Sequence, residues 1–151
     1  MAATWPTSCW GSRAVDLYLS CSLTGGRQDQ PVVAALVARM EALGHRVLTA
    51  HLAAESAMAA DGGLSPEAVF ERDTAWLRAA DAVIAEVSTP SHGVGFEIAY
   101  ALERRKPVLC LAREGVRVSK MLTGIRQEGV AFRTYGAVDE ALAHLDAFLA
   151  R

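Results

Sequence analysis

Two carboxylates in this sequence, Glu97 and Asp73, have neighbours that suit chemistry as well as they suit a helix surface. Glu97 lies in the segment STPSHGVGFEIAYAL (88–102), where a polar, glycine-containing loop becomes a run of helix-forming apolar residues. Asp73 follows Phe70 by three residues and precedes Trp76 by three, so it falls on the buried side of an apolar helical stripe or at its margin. On pattern alone, Glu97 could simply complement the helix dipole, and Asp73 could be an ordinary residue at the edge of the stripe.

The two carboxylates also fit a specific reaction. A carboxylate in a desolvated cleft can act as a nucleophile, and a second carboxylate kept protonated by its neighbour's charge can act as a general acid. This division of labour suits cleavage of a glycosidic bond, because an oxocarbenium-like transition state forms and the leaving group needs a proton. In an N-glycoside the leaving group is a nucleobase.

Two loops carry groups that could bind an anion. The segment YLSCSLTGGR (18–27) supplies hydroxyls, backbone N–H groups and a guanidinium. It contains neither GxGxxG nor GxxxxGK[ST], and as an isolated motif it is more simply a turn before a helix. In the second loop, Ser91 can cap a helix or donate to an anion, and the glycines let the backbone approach a ligand closely. The candidates are Ser22, Thr24, Gly25, Gly26 and Arg27 in the first loop and Ser91, His92, Gly93 and Gly95 in the second.

Apolar runs alternate with helical stripes along the chain and predict the elements that position these residues. The runs predict strands at 14–22, 46–52, 81–87, 107–112 and 130–135, and the stripes and start signals predict helices at 32–43, 66–80, 95–105, 118–125 and 137–151. This alternation predicts an α/β fold with a doubly wound, five-stranded parallel sheet, Rossmann-like, and helices on both faces. Ligands of such sheets bind at the carboxyl ends of the strands, where the strand order reverses.

Composition limits the function classes. The 151 residues have a net charge of −2 and are 52% hydrophobic, which allows one full core and gives no sign of a nucleic-acid or membrane surface. Residues 1–14 are predicted to be a flexible N-terminal arm, and 15–151 a single domain. The three cysteines and four histidines show no disulfide or metal-site spacing, and no signal peptide or membrane span is recognisable. We therefore expect a cytoplasmic protein that needs no metal or other cofactor.

Four segments of the chain resemble those of the 2′-deoxynucleoside 5′-monophosphate N-glycosidases, in the nucleoside 2-deoxyribosyltransferase superfamily. They are LYLSCSLTGGR, VLTAHLA, ERDTAWLRAADAVIAEVSTPSHGVGFEIAYAL and KPVLCL. The most specific feature is the order of an Asp in a helix, an apolar strand ending in AEV, and then PS-x-GVG-aromatic-E. The resemblance covers residues 16 to about 150.

The resemblance implies a role for each matching residue. Glu97 corresponds to the glutamate that attacks C1′, Asp73 to the aspartate that assists base departure, and Tyr18 to a tyrosine close to C1′ and the 2′ position. His51 matches a histidine near the base, and Ser119 matches a serine that reaches the phosphate bound by the neighbouring subunit of a homodimer. The implied phosphate-binding residues are Ser22, Gly25, Gly26, Arg27 and Ser91, with Gly93 and Gly95 in the same loop as Ser91.

The chain departs from this family at two places. Cys21 stands where the family usually has glycine, and the loop between Arg113 and Ser119 is about two residues shorter than in relatives. Three functions stay open: hydrolysis of deoxynucleoside 5′-monophosphates, hydrolysis of ribonucleotides such as CMP in natural-product biosynthesis, and a non-catalytic nucleotide sensor. Tyr18 favours the deoxy substrate, because CMP-type relatives tend to carry phenylalanine there and a tyrosine would crowd a 2′-hydroxyl.

Overall fold

The computed structural model describes residues 10–11, 13–23, 28–53 and 62–150. The strands are β1 (Asp16–Ser20), β2 (Arg46–Val47), β3 (Ala82–Glu86), β4 (Val108–Arg113) and β5 (Val130–Tyr135). The α-helices are α1 (Gln30–Ala42), α2 (Pro66–Ala79), α3 (His92–Glu103), α4 (Lys120–Thr123) and α5 (Val138–Leu149), and a 3₁₀ helix spans Ala50–Ala53.

The strands form one parallel sheet in the order β2-β1-β3-β4-β5, which confirms the predicted α/β fold class. The chain order reverses between β1 and β3, so the carboxyl ends of these two strands flank the crevice where ligands of such sheets bind. Every residue of β3 is buried, as its continuous apolar run predicted.

Helices cover both faces of the sheet. On one face, α1 and α5 pack together over a core that includes Leu17 and Leu19. On the other face, α2 and α3 pack over a core that includes Tyr18 and Ile98. Successive residues of β1 thus pack into the cores on opposite faces of the sheet, because side chains alternate along a strand. Tyr18 and Ser20 consequently point toward α2 and α3.

The second strand is shorter than predicted: the strand expected at 46–52 ends at Val47. Thr49 provides the physical reason. Its Oγ1 accepts a hydrogen bond from the Leu19 N–H at 2.8 Å and donates one to the Leu19 carbonyl at 2.8 Å. A side chain therefore satisfies backbone groups of β1 that a longer β2 would have paired. The chain then turns into the 3₁₀ helix, which carries His51.

Capping serines fix the helix starts beside the crevice. α2 begins at Pro66 with Ser65 as its N-cap, as predicted. α3 begins at His92, three residues before its predicted start, because Ser91 caps it by accepting the N–H of Val94 at 3.3 Å. The earlier start places Glu97 in the second turn of the helix.

The predicted arm at 1–14 lies mostly outside the described residues. Within the described part, Trp10 packs edge-on against Phe148 of α5, with ring centroids 5.9 Å apart. This contact joins the described part of the predicted arm to the C-terminal helix. The division into an arm and a single domain stays a prediction.

Candidate active site

Glu97 is held from β1 by two hydroxyl groups. The Tyr18 hydroxyl donates to Glu97 Oε1 at 2.7 Å, and the Ser20 hydroxyl donates to Oε2 in a close contact. Tyr18 and Ser20 are almost completely buried. The two donors fit one carboxylate because they stand two residues apart on the same face of the strand. Both oxygens of Glu97 are thereby fixed in direction.

The surroundings of Glu97 favour its neutral form. Burial raises the pKa of Glu97 above its ordinary value, the hydrogen bonds from Ser20 and Tyr18 act in the opposite direction, and the negative charge of Asp73 adds to the increase. Burial and then the charge of Glu97 also raise the pKa of Tyr18. Tyr18 therefore keeps its proton and remains a hydrogen-bond donor.

Asp73 faces the same space from α2. Arg72 Nε donates to Asp73 Oδ1 at 2.8 Å, and the Arg72 guanidinium lies 4.8 Å from the centroid of the Trp76 ring. The Asp73 side chain is 24% exposed, which places it at the margin of the helical stripe. Asp73 and Glu97 line the same two adjoining cavities.

The smaller of these cavities, about 40 Å³, is polar. His51 lines it, and the His51 ring lies 5.5 Å from that of Trp76. Among the described residues, His51 Nε2 has no hydrogen-bond partner although that atom is buried. The other lining residues are Tyr18, Cys21, Leu23, Thr49, Arg72, Asp73 and Glu97.

The larger cavity is an open apolar groove between α2 and α3, of about 470 Å³. Phe70 and Phe96 stand on its two sides, with ring centroids 5.9 Å apart, and they are 56% and 48% exposed. Asp73 and Glu97 supply its carboxylates. The carboxylate pair therefore separates a small polar cavity from a groove with room for an aromatic ring.

Cys21 lines the small cavity. Burial raises the pKa of Cys21 to about 12, and the charge of Glu97 adds to the increase. The thiol is therefore neutral near pH 7 and is a poor nucleophile. The Cys21 side chain reduces the space in the small cavity.

The candidate phosphate-binding residues are only partly described. Ser22 is half-buried just beyond the end of β1, while Thr24, Gly25, Gly26 and Arg27 lie outside the described residues. On the other side of the crevice, Ser91 caps α3. A Cβ added at Gly95 would meet nothing within 4 Å, and one added at Gly93 would meet Ser91 Oγ at 3.7 Å. The space beside these glycines is open in the described part of the chain.

Ser119 lies apart from the carboxylates. It caps the single-turn helix α4, where its Oγ accepts the N–H of Met121 at 3.2 Å. Ser119 and Ser91 line one cavity of about 670 Å³, and neither Glu97 nor Asp73 lines it. Within one subunit, Ser119 is thus near the capping serine of α3 and on a different side of that helix from the carboxylate pair.

Two residues of the site were missed in the sequence. Ser20 reads as part of an apolar strand, but its two-residue spacing from Tyr18 could have placed it on the same face. Arg72 reads as a surface residue of α2, and only the structure shows that it contacts both Asp73 and Trp76.

Among the described residues, no group of three or more His, Cys, Asp or Glu side chains could hold a metal ion. No helix in the described ranges is long and apolar enough to cross a membrane.

Comparison with known proteins gives consistent matches. Residues 17–140 match the family model described as nucleoside 2-deoxyribosyltransferase. A Thermofilum pendens protein named "Putative 2′-deoxynucleoside 5′-phosphate N-hydrolase 1" is 44% identical over 135 residues, 88% of this chain and 94% of that protein. The 5-hydroxymethyl-dUMP N-hydrolase of Mus musculus is 38% identical over 135 residues, 82% of this chain and 73% of that protein.

A solved structure has a similar fold. The CMP N-glycosidase of Clostridium botulinum gives a TM-score of 0.68 at 21% identity, covering 88% of this chain and 98% of that one. At this identity the likeness concerns the fold alone.

Proposed function

This chain belongs to the nucleoside 2-deoxyribosyltransferase family, and from that membership we propose that it hydrolyses the N-glycosidic bond of 2′-deoxynucleoside 5′-monophosphates. The products are a free base and 2-deoxyribose 5-phosphate. The observation that carries the proposal is the arrangement of Glu97, whose two oxygens are fixed by Tyr18 and Ser20 next to Asp73. The names of the Thermofilum and mouse relatives support the reaction class.

The proposed reaction has two steps with balanced protons. The first step starts from the form of the carboxylate pair that carries one proton, with that proton on Asp73 and with Glu97 ionised. Glu97 attacks C1′, the bond from C1′ to the base nitrogen breaks with its electron pair leaving on the base, and Asp73 gives the base its proton. In the second, water attacks C1′ of the glycosyl-enzyme, Asp73 accepts a proton from that water, and Glu97 leaves as a carboxylate. Arg72 orients Asp73 through the bond from its Nε.

The apolar groove is the proposed place of the base. This placement departs from the family resemblance, which implies that His51, on the polar side of the carboxylate pair, lies near the base. The groove borders both carboxylates and has a volume of about 470 Å³, whereas the polar cavity on the other side of the pair has about 40 Å³. A base resting against Phe96 would be stabilised by stacking, typically about 1–3 kcal/mol. Phe96→Ala should raise KM for the nucleotide and leave inhibition by 2-deoxyribose 5-phosphate, which lacks a base, unchanged. If Phe96→Ala weakened binding of the nucleotide and of 2-deoxyribose 5-phosphate equally, the base would have to bind elsewhere.

The substrate phosphate is proposed to bind at the start of α3. Ser91 and the first backbone N–H groups of that 12-residue helix offer donors, and the helix dipole favours an anion there. Ser22, Gly25, Gly26 and Arg27 would complete the site from the β1 side, as the family resemblance implies. Ser91→Ala should raise KM for nucleotides more than it lowers kcat.

Hydrolysis itself is tested by product analysis. Purified protein is incubated with the eight common nucleoside monophosphates, and free bases are separated by chromatography. We expect base release from one or more deoxynucleotides and a loss of at least about a thousandfold in Glu97→Ala, since removal of a nucleophile typically costs this much or more. Turnover equal to wild type in a folded Glu97→Ala protein would refute the mechanism, and cleavage of CMP in preference to dCMP would refute the deoxy specificity.

We further propose a homodimer in which Ser119 of one subunit reaches the phosphate bound by the other. The groove that Ser119 shares with Ser91 is largely apolar, and Met121 beside it is 83% exposed, so a second copy would cover it. At a nucleotide concentration below KM, mixing Glu97→Gln with Ser119→Ala should raise activity above that of either variant alone, because each hybrid dimer contains one site with both native residues. Subunit exchange must first be demonstrated. If activity then fails to rise, site sharing is refuted.

The two cysteines that the structure describes fit the proposed cytoplasmic setting. Cys21 and Cys110 are free thiols, and burial raises the pKa of Cys110 to about 12. Free thiols are usual in a reducing compartment.

A further inference from the structure

We propose that Asp29 is a positioning residue for the phosphate side of the active site, which it serves by locking the start of α1 to the loop that carries Ser91. The inference rests on the proposed function. Asp29 is the N-cap residue of α1, but its side chain makes no cap hydrogen bond to that helix. Instead, Oδ2 accepts from Thr89 Oγ1 at 2.6 Å, and Oδ1 accepts from Arg113 Nε at 2.9 Å.

These two bonds join three parts of the chain at the carboxyl edge of the sheet. Asp29 immediately precedes α1, Thr89 lies in the loop between β3 and α3, and Arg113 ends β4. An aspartate at an N-cap normally accepts from its own helix, and here that local bond is replaced by two bonds across 60 and 84 positions of sequence. Because two long-range bonds replace the local cap bond, we infer that Asp29 holds the start of α1, the loop between β3 and α3, and the end of β4 together.

The loop between β3 and α3 is also fixed from its other side. Ser88 Oγ accepts the N–H of Arg113 at 2.7 Å and donates to Glu86 Oε1 in a close contact. The Tyr135 hydroxyl donates to the same oxygen at 2.9 Å. Ser88 and Thr89 are thus both immobilised, and Ser91, which caps α3, follows two residues later.

Charge argues that Asp29 acts through its partners and does not touch the phosphate. Only 7% of Asp29 is exposed, and a bare carboxylate beside a phosphate would repel it. Arg113, whose side chain is 37% exposed, neutralises Asp29 in an ion pair. The pair leaves the donors of the Ser91 loop in place without adding a net negative charge.

The test compares binding of a nucleotide with binding of its two parts, the nucleoside and phosphate. In a Glu97→Gln background, which prevents turnover, calorimetry measures binding of a deoxynucleoside 5′-monophosphate, its deoxynucleoside and inorganic phosphate. Asp29→Ala should weaken nucleotide and phosphate at least tenfold and change nucleoside binding less than twofold. In the catalytically competent protein, the same substitution should raise KM for the nucleotide more than it lowers kcat.

Conservative variants separate positioning from a merely structural role. Thr89→Ser keeps the hydroxyl and should bind all three ligands like wild type. Thr89→Val removes one of the two hydrogen bonds to Asp29 and should weaken binding of nucleotide and phosphate, but not of nucleoside, by less than Asp29→Ala does. Asp146→Ala is the control, because it also breaks an aspartate–arginine ion pair, the one with Arg39 on the exposed side of α5. It should change none of the three affinities.

Each outcome decides between alternatives. Equal weakening of nucleotide and nucleoside, or unchanged phosphate binding in folded Asp29→Ala and Thr89→Val, overturns the inference. If Asp29→Ala does not fold, Thr89→Val alone decides. If wild type binds phosphate and Asp29→Ala does not, yet no nucleotide is cleaved, the proposed hydrolysis fails while the positioning role of Asp29 stands.

Discussion

Tyr18 donates a 2.7 Å hydrogen bond to Glu97 although 79 positions separate the two residues in sequence. The bond crosses from the first strand to the second turn of α3, at the point where the strand order reverses. Because the Ser20 hydroxyl fixes the other carboxylate oxygen, Glu97 is oriented before any substrate arrives. Such preorganisation avoids a cost of reorientation at the moment of reaction.

Replacing Tyr18 by phenylalanine removes this bond with little change in volume. We expect kcat to fall by about tenfold to a hundredfold, since a hydrogen bond to a charged group is typically worth about 1.5–3 kcal/mol. We also expect the ratio of CMP to dCMP cleavage to rise if, as the family resemblance implies, the Tyr18 hydroxyl crowds the 2′ position. Steady-state kinetics with both nucleotides checks this.

The matched control for Tyr18→Phe is Tyr100→Phe. The Tyr100 hydroxyl accepts from Arg78 at 3.1 Å on an exposed part of α3, outside the proposed site. Its loss should leave both rates unchanged. A Tyr18→Phe enzyme with wild-type kcat and an unchanged CMP to dCMP ratio would show that the hydroxyl has neither role.

Ser20→Ala should move the acid limb of the pH–activity profile. In the proposed mechanism Glu97 must be ionised to attack, so kcat/KM should fall as the pH drops through the pKa of Glu97 in the free enzyme. Burial holds that pKa above the ordinary value, and the bond from Ser20 opposes the increase. Losing the bond therefore raises the pKa further, and the midpoint of the acid limb should shift to higher pH.

The comparison for this prediction is Ser20→Thr, which retains a hydroxyl and should keep the midpoint near that of wild type. The measurement is kcat/KM over a pH series at constant ionic strength. A Ser20→Ala midpoint at or below the wild-type value would contradict the assigned direction.

Glu97→Gln should stabilise the folded protein at neutral pH. Because the pKa of Glu97 is raised in the folded state, folding is favoured by its protonated form, and that contribution is lost as the pH rises through the folded-state pKa. The gain in the free energy of unfolding should therefore be larger at pH 8 than at pH 5. Urea denaturation at both values measures it, with Glu41→Gln on the exposed face of α1 as the control.

A gain that is equal at pH 5 and pH 8 would mean that ionisation of Glu97 is not its source. A stabilised but inactive variant would also show that the site keeps a costly ionised group for the sake of its chemistry.

Much of the fold could be predicted because the chain is locally consistent. The apolar run of β3 and the Ser65-Pro66 start of α2 each indicate one structure, and the alternation of elements then restricts the topology. The limits of elements were harder to predict where a side chain intervenes. Ser91 lengthens α3, and Thr49 ends the pairing of β2, and neither effect is visible in apolar periodicity.

The candidate site was predictable only in part for a similar reason. Glu97 and Asp73 stand out because a carboxylate among apolar residues is costly. Asp29 and Arg113 look like ordinary polar residues, and their ion pair joins positions 84 apart. A contact at that separation depends on the completed sheet, so no local pattern could reveal it.

Thr49→Val tests whether one hydroxyl sets the course of the chain into the site. Valine has nearly the same shape, but it leaves the N–H and carbonyl of buried Leu19 without the partner they share in Thr49. An unsatisfied buried group costs about 1–3 kcal/mol, so we expect a loss of about 2–4 kcal/mol in the free energy of unfolding. Thr49→Ser keeps the hydroxyl and should lose less than half as much.

Because Thr49 precedes the 3₁₀ helix that places His51 beside the carboxylates, folded Thr49→Val protein should also show a higher KM. Urea denaturation and steady-state kinetics measure the two effects, and a Thr49→Val protein as stable as wild type would mean that β2 ends at Val47 for another reason.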